Sequence, residues 1–466
     1  MTSPSDPMPV NVRPFDAADL AQLKAAGLAL EEALHQRALL ARHPAPMRLA
    51  RPCLVGDGIR RLDAREETDY EARGAGLLLR QRVAKFVPAS GAATRMFKDL
   101  LAAVKETSGP PQGNASEALF NADRFAFFDR WREALGAKDT RAFAMGLAKG
   151  RWKEALQALL GQPGLDYAAL PKAFILFHRY GSRARTALEE HWREAAELGL
   201  GHLHFTLSPE HDADFQSLLG DLRRLPAGER PPELDLSRSF QDPSTDTLAG
   251  DGNGGLFRAD DGRLVLRPGG HGALIRNLEA LAKNADVALL RNIDNITHAR
   301  LWQRQLRSKR ILLGLLDEAT QGGGFDSPVR VVGMVPNTGE PGGGPFWVQG
   351  MPGPQIVESA QVDLKDAGQK AIFAASTHFN PVDMACRLTD AQGRPFELGR
   401  FTDPSAVFLS SKSHLGRPLT ALERPGLWNG AMAHWKTIFV ELPLEDFNPV
   451  KTVVDLLKPA HQEAAP

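Results

Sequence analysis

Apolar residues recur along this chain in two periods. Over residues 16–46 they fall at Leu20, Leu23, Leu28, Leu30 and Leu34, with Asp16 or Asp19 as a cap. That spacing predicts a single helix. A short apolar run at 82–87 stops at Pro88-Ala89-Ser90-Gly91, and a helix-like stretch begins at Thr94. It reads as strand, small-residue turn and helix. Residues 114–163 are helix-periodic with no strand signal, which predicts an inserted helical bundle. Strand patterns then return at 173–177, 204–207, 264–266 and 287–290, interleaved with helical stretches at 186–197, 212–222 and 273–281. Such alternation predicts a mainly parallel sheet with helices on both faces. Beyond residue 328 helices thin out, and strands are expected at 329–335 and 355–362. The tail after Lys458 is expected to fray. The implied organisation is a helical N-terminal extension (1–80), an α/β core (81–360, helical insertion about 101–168) and a mixed C-terminal region (361–466) completing the site.

The bulk numbers narrow the function. A chain of 466 residues, 43% hydrophobic, suits one large α/β domain with additions, or two to three modules. The 56 basic residues balance 56 acidic ones. No basic field is available for nucleic acid, so any phosphate site must be local: a few Lys and Arg, helix N-termini and a metal ion. Cys53 and Cys386 are the only cysteines, which gives no disulfide framework and fits a reducing cytoplasm. No apolar run is long enough for a bilayer, and residues 1–14 lack a signal core. A cytoplasmic location without membrane partners is therefore expected. Oligomeric state is not readable from the sequence.

Four segments could carry chemistry. The turn Ala89-Ser90-Gly91-Ala92-Ala93 joins a strand to a helix and could offer backbone N–H groups to phosphate, with Arg95 one turn on. It could equally be an ordinary strand–helix turn. The glycines of Pro268-Gly269-Gly270-His271-Gly272 would let a flat base or a phosphate approach the backbone, or simply make a β-turn. Asp294, beyond the buried run 287–290, would stand at the C-terminal edge of the sheet, where open α/β sheets bind ligands. It could hold Mg²⁺ or cap a helix. Lys451, fixed after Pro449, could reach a phosphate or lie on the surface. His178, His191, His202, His204 and His211 invite a zinc reading, but without a Cys partner or a His-Glu-x-x-His helix they read better as core or surface histidines.

Taken in order, these segments resemble the sugar pyrophosphorylases. Pro88 to Met96 is similar to their Gly-rich Thr-Arg signature, and Leu170-Pro171-Lys172 to their Pro-Lys element. Ser239-Phe240-Gln241, Pro268 to Gly272, Asn292 to Asn295, Gln355 to Ser359 and Phe447 to Lys451 resemble later segments. Over the same span the chain is even more similar to a bacterial domain-of-unknown-function family, through the strings at 86–92, 267–274, 339–346, 377–383 and 426–432. The resemblance implies a nucleotide-diphospho-sugar transferase fold with a Rossmann-like, GT-A-like sheet. It implies a nucleotidyltransferase that takes a nucleoside triphosphate and a sugar 1-phosphate, with Mg²⁺ as cofactor. Ala89, Ser90, Gly91 and Arg95 would hold triphosphate, and Lys172 and Lys451 would contact phosphates. Gln241, Gly269, Gly270, His271 and Gly272 would read the base, tilted towards uridine. Glu358 and Asn380 would face the sugar, and Asp294 would hold the metal. Alternatives are an inactive nucleotide-sugar binding protein and a metal-dependent glycosyltransferase. The first loop is poorer in glycine than in those relatives, and the helical insertion separates Lys172 from it.

Overall fold

A computed structural model of the chain describes residues 15–42, 44–106, 109–322, 325–339 and 343–463; the side chains of 380–382 are also outside the description. Its centre is a nine-stranded sheet. In chain order the strands are β1 (Leu54–Val55), β2 (Gly58–Arg60), β3 (Val83–Pro88), β4 (His202–Leu207), β5 (Asp235–Phe240), β6 (Val287–Leu290), β7 (Val329–Pro336), β8 (His378–Arg387) and β9 (Lys436–Glu441). Their spatial order is β1-β2-β9-β7-β8-β6-β3-β4-β5. Every neighbouring pair is parallel except the two made by β8, which runs antiparallel between β7 and β6. The fold is thus mixed α/β with a mostly parallel central sheet.

Side chains alternate across this sheet as the period-2 pattern requires. Val83, Val87, Leu203, Phe205, Val287 and Leu289 face one core, while Ala84, Phe86, Ala288 and Leu290 face the other. The first core lies under helices α1 (Ala64–Arg80), α2 (Ala187–Leu198), α3 (Asp212–Arg224) and α4 (Trp302–Thr320) and under the helical insertion. The second lies under the helix Ile275–Leu281 and the segment around Leu427, Met432 and Trp435. Helices α1 and α4 touch backbone to backbone. A Cβ built on Gly74 would lie 1.8 Å from the Arg310 carbonyl oxygen, and one on Gly314 would lie 2.0 Å from that of Tyr70.

Several expectations need correction. The stretch 16–46 is two helices, Ala17–Ala25 and Leu30–Arg42, broken near Gly27, whose φ of 71° no helix accommodates. The segment 1–80 is not all helical: Leu49–Pro52, β1 and β2 are strands. The run at 173–177 splits into a 3-10 turn and a strand, Leu176–Tyr180, of a separate two-stranded hairpin. The strand expected over 355–362 is Pro354–Val357, closed by a 3-10 turn at Ser359–Gln361. The central sheet draws strands from each of the three segments.

The tail after Lys458 is docked through residue 463 rather than frayed. The His461 side chain is buried, and its Nδ1 lies 3.0 Å from Nε2 of His178. Among the described residues no helix is long and apolar enough to cross a membrane.

Candidate phosphate-binding rim

Four adjacent parallel strands, β6, β3, β4 and β5, end at one edge of the sheet, and the candidate residues lie in or against the loops beyond them. After β3 the chain turns through Ala89–Gly91 into a 3-10 turn, Ala93–Arg95. Ala89 is buried, and its N–H donates to the Thr206 carbonyl (2.9 Å). Gly91, Ala92 and Arg95 are exposed. Ser90 presents its carbonyl to the Ser208 hydroxyl (3.3 Å), which ties the loops after β3 and β4 together.

Lys172 reaches this rim in spite of the insertion. Ala92 forms a β-bridge with Pro171, and the Ala93 N–H donates to the Leu170 carbonyl (3.0 Å). The Lys172 ammonium donates to Oδ2 of Asp294 and to the Val450 carbonyl, each at 2.7 Å. Asp294 lies four residues beyond the end of β6 and is itself held: its carbonyl accepts from the Val450 N–H (2.9 Å). Lys451 follows, with Nζ 3.8 Å from the same Oδ2 and its side chain half exposed. Burial alone would raise the Asp294 carboxyl, but Lys172 and Lys451 outweigh it and hold it below its ordinary range. The result is one carboxylate between two ammonium groups, a locally cationic spot on a chain of zero net charge.

A buried ionic network supports this rim. Arg291, at the end of β6, pairs with Asp383 of β8. It also donates to the Asn295 carbonyl and to the Asp446 carbonyl (3.2 Å). One guanidinium therefore spans the turn carrying Asp294 and the segment leading to Lys451, and the Asn448 N–H adds a bond to Oδ1 of Asn295 (2.9 Å). Beneath it Lys309 bridges Asp383 (3.5 Å) and Glu194 (2.7 Å), and Glu194 also pairs with Lys85 of β3. Burial lowers the Lys85 ammonium to about 8, opposed by Glu194. Glu194 would be raised by burial, yet its cationic neighbours keep it well below the carboxylate range. His191 points Nε2 at the Ile293 carbonyl (3.1 Å), next to Asp294.

The Gly-rich turn stands beyond β5. Asn277, in the helix just behind it, donates to the Phe240 carbonyl (2.8 Å), and Gln241 follows with its amide on Asp246 (3.2 Å). Gly270 has φ 77°, and a Cβ on Gly272 would lie 2.1 Å from the Pro425 carbonyl oxygen, so both positions require glycine. His271 accepts the Leu427 N–H on Nδ1 (3.0 Å), which leaves the ring proton on Nε2, 3.6 Å from Oε1 of Glu358. Trp428 stacks on His271 at 5.7 Å between ring centres. Asn429 donates to Glu358 (3.3 Å) and Gln361 (3.0 Å).

The rim thus brings together the loop 89–95, Lys172, Asp294 and Lys451, and separately Gln241, Gly269 to Gly272 and Glu358. Asn380 lies on β8, and its side chain is outside the description. Residues 340–342 of the string 339–346 are outside it as well. Sequence reasoning missed Arg291, Asp383 and Glu194, whose partners lie far along the chain. It left the 426–432 string without a role, although that string turns out to join His271 to Glu358.

Of the histidines, His178 meets Glu190 (2.9 Å) and His461, while His202 and His204 bond Ser237. Among the described residues no three His, Cys, Asp or Glu side chains gather as a metal cluster.

Comparison with known proteins agrees with this architecture. The family described as Domain of unknown function (DUF4301) matches residues 16–323 and 322–462. No curated protein matches the sequence. Among solved structures the chain is similar to a uridine diphosphate N-acetylglucosamine pyrophosphorylase from Trypanosoma brucei in complex with inhibitor. That match has 15% identity and a TM-score of 0.52, and covers 95% of this chain and 79% of that one. A UDP-glucose phosphorylase from the same organism has 15% identity, coverage of 94% and 77%, and a TM-score of 0.48. A UDP-glucose pyrophosphorylase variant from Leishmania major, in complex with UDP-glucose, has 13% identity, coverage of 95% and 79%, and a TM-score of 0.47. At 15% identity the first of these likenesses, with its TM-score of 0.52, is one of fold alone.

Proposed function

This chain belongs to the domain-of-unknown-function family DUF4301, and from the charge arrangement at its rim we propose that it is a nucleotidyltransferase. It joins a sugar 1-phosphate to a nucleoside triphosphate, UTP by preference, and releases pyrophosphate. The observation that carries this reading is the convergence of Lys172, Asp294 and Lys451 beside the loop after β3. Both reactants are anions, so the main obstacle is bringing them together, and fixed cations at a parallel-sheet edge answer it.

In the proposed reaction the sugar-phosphate oxygen bonds to the α-phosphorus, the bond from that phosphorus to the bridging oxygen breaks, and pyrophosphate leaves. Lys172 and Lys451 hold phosphate oxygens. Exposed Arg95 meets the distal phosphates, and Ser90 and Gly91 lie along the chain beneath them. Gln241 and the turn Gly269 to Gly272 receive the base, while Glu358 faces the sugar. Asp294 is the carboxylate proposed for Mg²⁺, but its Oδ2 accepts the Lys172 ammonium at 2.7 Å and has the Lys451 ammonium at 3.8 Å, so the lining does not fit a divalent cation and the two ammonium groups supply the neutralising charge.

A second reading, nucleotide-sugar binding without turnover, draws on one feature of the first loop. The Ala89 and Ala93 amides are already committed to Thr206 and Leu170, which leaves fewer N–H groups for a triphosphate. A thermal-shift screen of nucleoside triphosphates with Mg²⁺, then of sugar 1-phosphates, tests both readings. Stabilisation by a triphosphate supports the proposal, and stabilisation by nucleotide sugars alone supports the second reading. No shift with any of them removes both.

A further inference from the structure

A row of polar side chains crosses the sheet between β4 and β5. His202 opens β4 at the edge opposite the rim, with its side chain 13% exposed. Its Nε2 lies 2.5 Å from Oγ of Ser237, and Nδ1 of His204 lies 2.7 Å from the same oxygen. Nε2 of His204 lies 2.8 Å from Oγ of Ser239. Ser239 Oγ also accepts from Nδ2 of Asn277 (2.7 Å), in the helix behind the Gly-rich turn. The row thus runs unbroken from the far edge of the sheet to the segment that leads into Gln241.

Its direction is set at the inner end. Nδ2 of Asn277 also donates to the Phe240 carbonyl (2.8 Å), which can only accept, so the amide cannot be turned round. The Ser239 hydroxyl is then free to donate to Nε2 of His204. His204 carries its proton on Nδ1 and donates to Ser237, and Ser237 donates to Nε2 of His202. Every group in the row is matched while both imidazoles are neutral. A protonated His202 can only donate to Ser237. The Ser237 hydroxyl must then turn to Nδ1 of His204, the His204 proton must sit on Nε2, and Ser239 must send its own proton elsewhere. Two buried acceptors without a hydrogen-bond partner among the described residues stand beside it: Oγ1 of Thr206, its register neighbour, and Oδ1 of Asn277.

We propose that this row is a proton-linked relay, in which protonation of His202 reverses every hydrogen bond as far as Ser239 and is felt at Phe240 and Gln241. Asp235 of β5 is the charged side chain facing His202, at 4.0 Å. On β3 the register partner of His202 is Ala84, and Phe86 stacks on His204 at 5.5 Å between ring centres. In the helix, Arg276 and Glu279 are engaged elsewhere, with Asp242 and the Gly399 N–H. Burial lowers the His202 imidazole, opposed by Asp235; burial, reinforced by His202, lowers His204 to about 4. His202 therefore takes the proton first as pH falls, and His204 changes only its tautomer.

Nitrogen-15 resonances of labelled histidine in the full-length protein, followed from about pH 8 to about pH 5, test the relay. At about pH 8 His204 is expected as the Nδ1–H tautomer, and its proton is expected to move to Nε2 with the midpoint of the His202 titration. The amide signal of Gln241 is expected to shift with the same midpoint. Ser237→Ala and His202→Gln are each expected to leave the His204 tautomer and the Gln241 amide indifferent to pH, whereas Ser237→Thr, which keeps the hydroxyl, keeps the coupling. His202→Gln carries the comparison should Ser237→Ala fail to fold. His204 found as the Nε2–H tautomer at about pH 8, a tautomer that does not follow His202, or a coupling that survives Ser237→Ala or His202→Gln overturns the relay. No nucleotide or sugar phosphate enters the measurement, so its outcome is separate from that of any turnover assay.

Discussion

The Ala93 amide donates a 3.0 Å hydrogen bond to the carbonyl of Leu170, across the whole helical insertion. That one bond explains how a lysine so distant in sequence comes to stand at the loop after β3. The insertion is closed at its base, and the returning segment, at the start of the 3-10 turn Lys172–Phe174, delivers Lys172 to Asp294.

Lys451 is half exposed and pairs only loosely with Asp294, so Lys451→Ala should leave the fold intact. If it neutralises phosphate in the transition state, its loss costs on the order of 3 kcal/mol in the barrier, about a hundredfold in kcat. Turnover measured alongside a thermal melt checks this; equal turnover in the variant contradicts the role. Asp294→Asn should lower turnover as well, with a fall in melting temperature because the largely buried Lys172 loses its carboxylate partner.

Arg291 should be less forgiving. Arg291→Met leaves buried Asp383 with Lys309 at 3.5 Å as its one cationic partner among the described residues and frees the carbonyls of Asn295 and Asp446. Breaking a buried pair in this way typically costs about 3–5 kcal/mol. Denaturant unfolding should show that loss, and hydrogen exchange should show faster opening at 446–451 than in Lys451→Ala.

The helix pair gives a control remote from the rim. Gly314→Ala puts a methyl group 2.0 Å from the Tyr70 carbonyl oxygen, so α1 must move off α4. Overpacking of this kind costs about 1–3 kcal/mol. The melting temperature should fall while kcat of the folded enzyme holds; an unchanged melt would show that the helices are not in close contact.

Acid should destabilise the protein through its docked C-terminal segment. Burial, reinforced by neighbouring His178, lowers His461 to about 3, and burial, reinforced by His298 and Arg185, also holds His178 well below the usual imidazole value. Unfolded imidazoles titrate near about 6.5 and then bind protons that the folded ones refuse. Their contribution is fully present above that pH and is lost as pH falls, each by up to about 1.4 kcal/mol per pH unit. Glu190, raised by burial to about 7, works in the opposite sense between its unfolded value and 7. Two histidines outweigh one carboxyl, so stability should decline below about pH 6.5 and more steeply below about pH 4.5. His461→Gln should flatten that decline in denaturant melts taken across the range.

The parallel strands β3, β4, β6 and β7 were legible because each carries a clear apolar pattern, whereas the expected strands at 173–177 and 264–266 correspond to strands of separate sheets. The antiparallel β8 was not legible, since Pro381 argues against a central strand. The structure accommodates it where the β7–β8 register shifts. Helix α4 was obscured by the polar residues Gln305, Ser308 and Lys309 on its buried face, which serve Thr297, Asp446, Glu194 and Asp383. Likewise β5 alternates Ser and Arg at an edge and carries little apolar signal. At the site, the positions of Asp294 and the Gly-rich turn followed from their place after strands. The link from His271 through Trp428 and Asn429 to Glu358 is purely tertiary.

The most direct test of the account is pyrophosphate release by the purified full-length protein, supplied with each nucleoside triphosphate, Mg²⁺ and a panel of sugar 1-phosphates. The account predicts release that requires both substrates, is fastest with UTP and drops about a hundredfold in Lys451→Ala. No release from any pair, or release that Lys451→Ala and Asp294→Asn leave untouched, would contradict it.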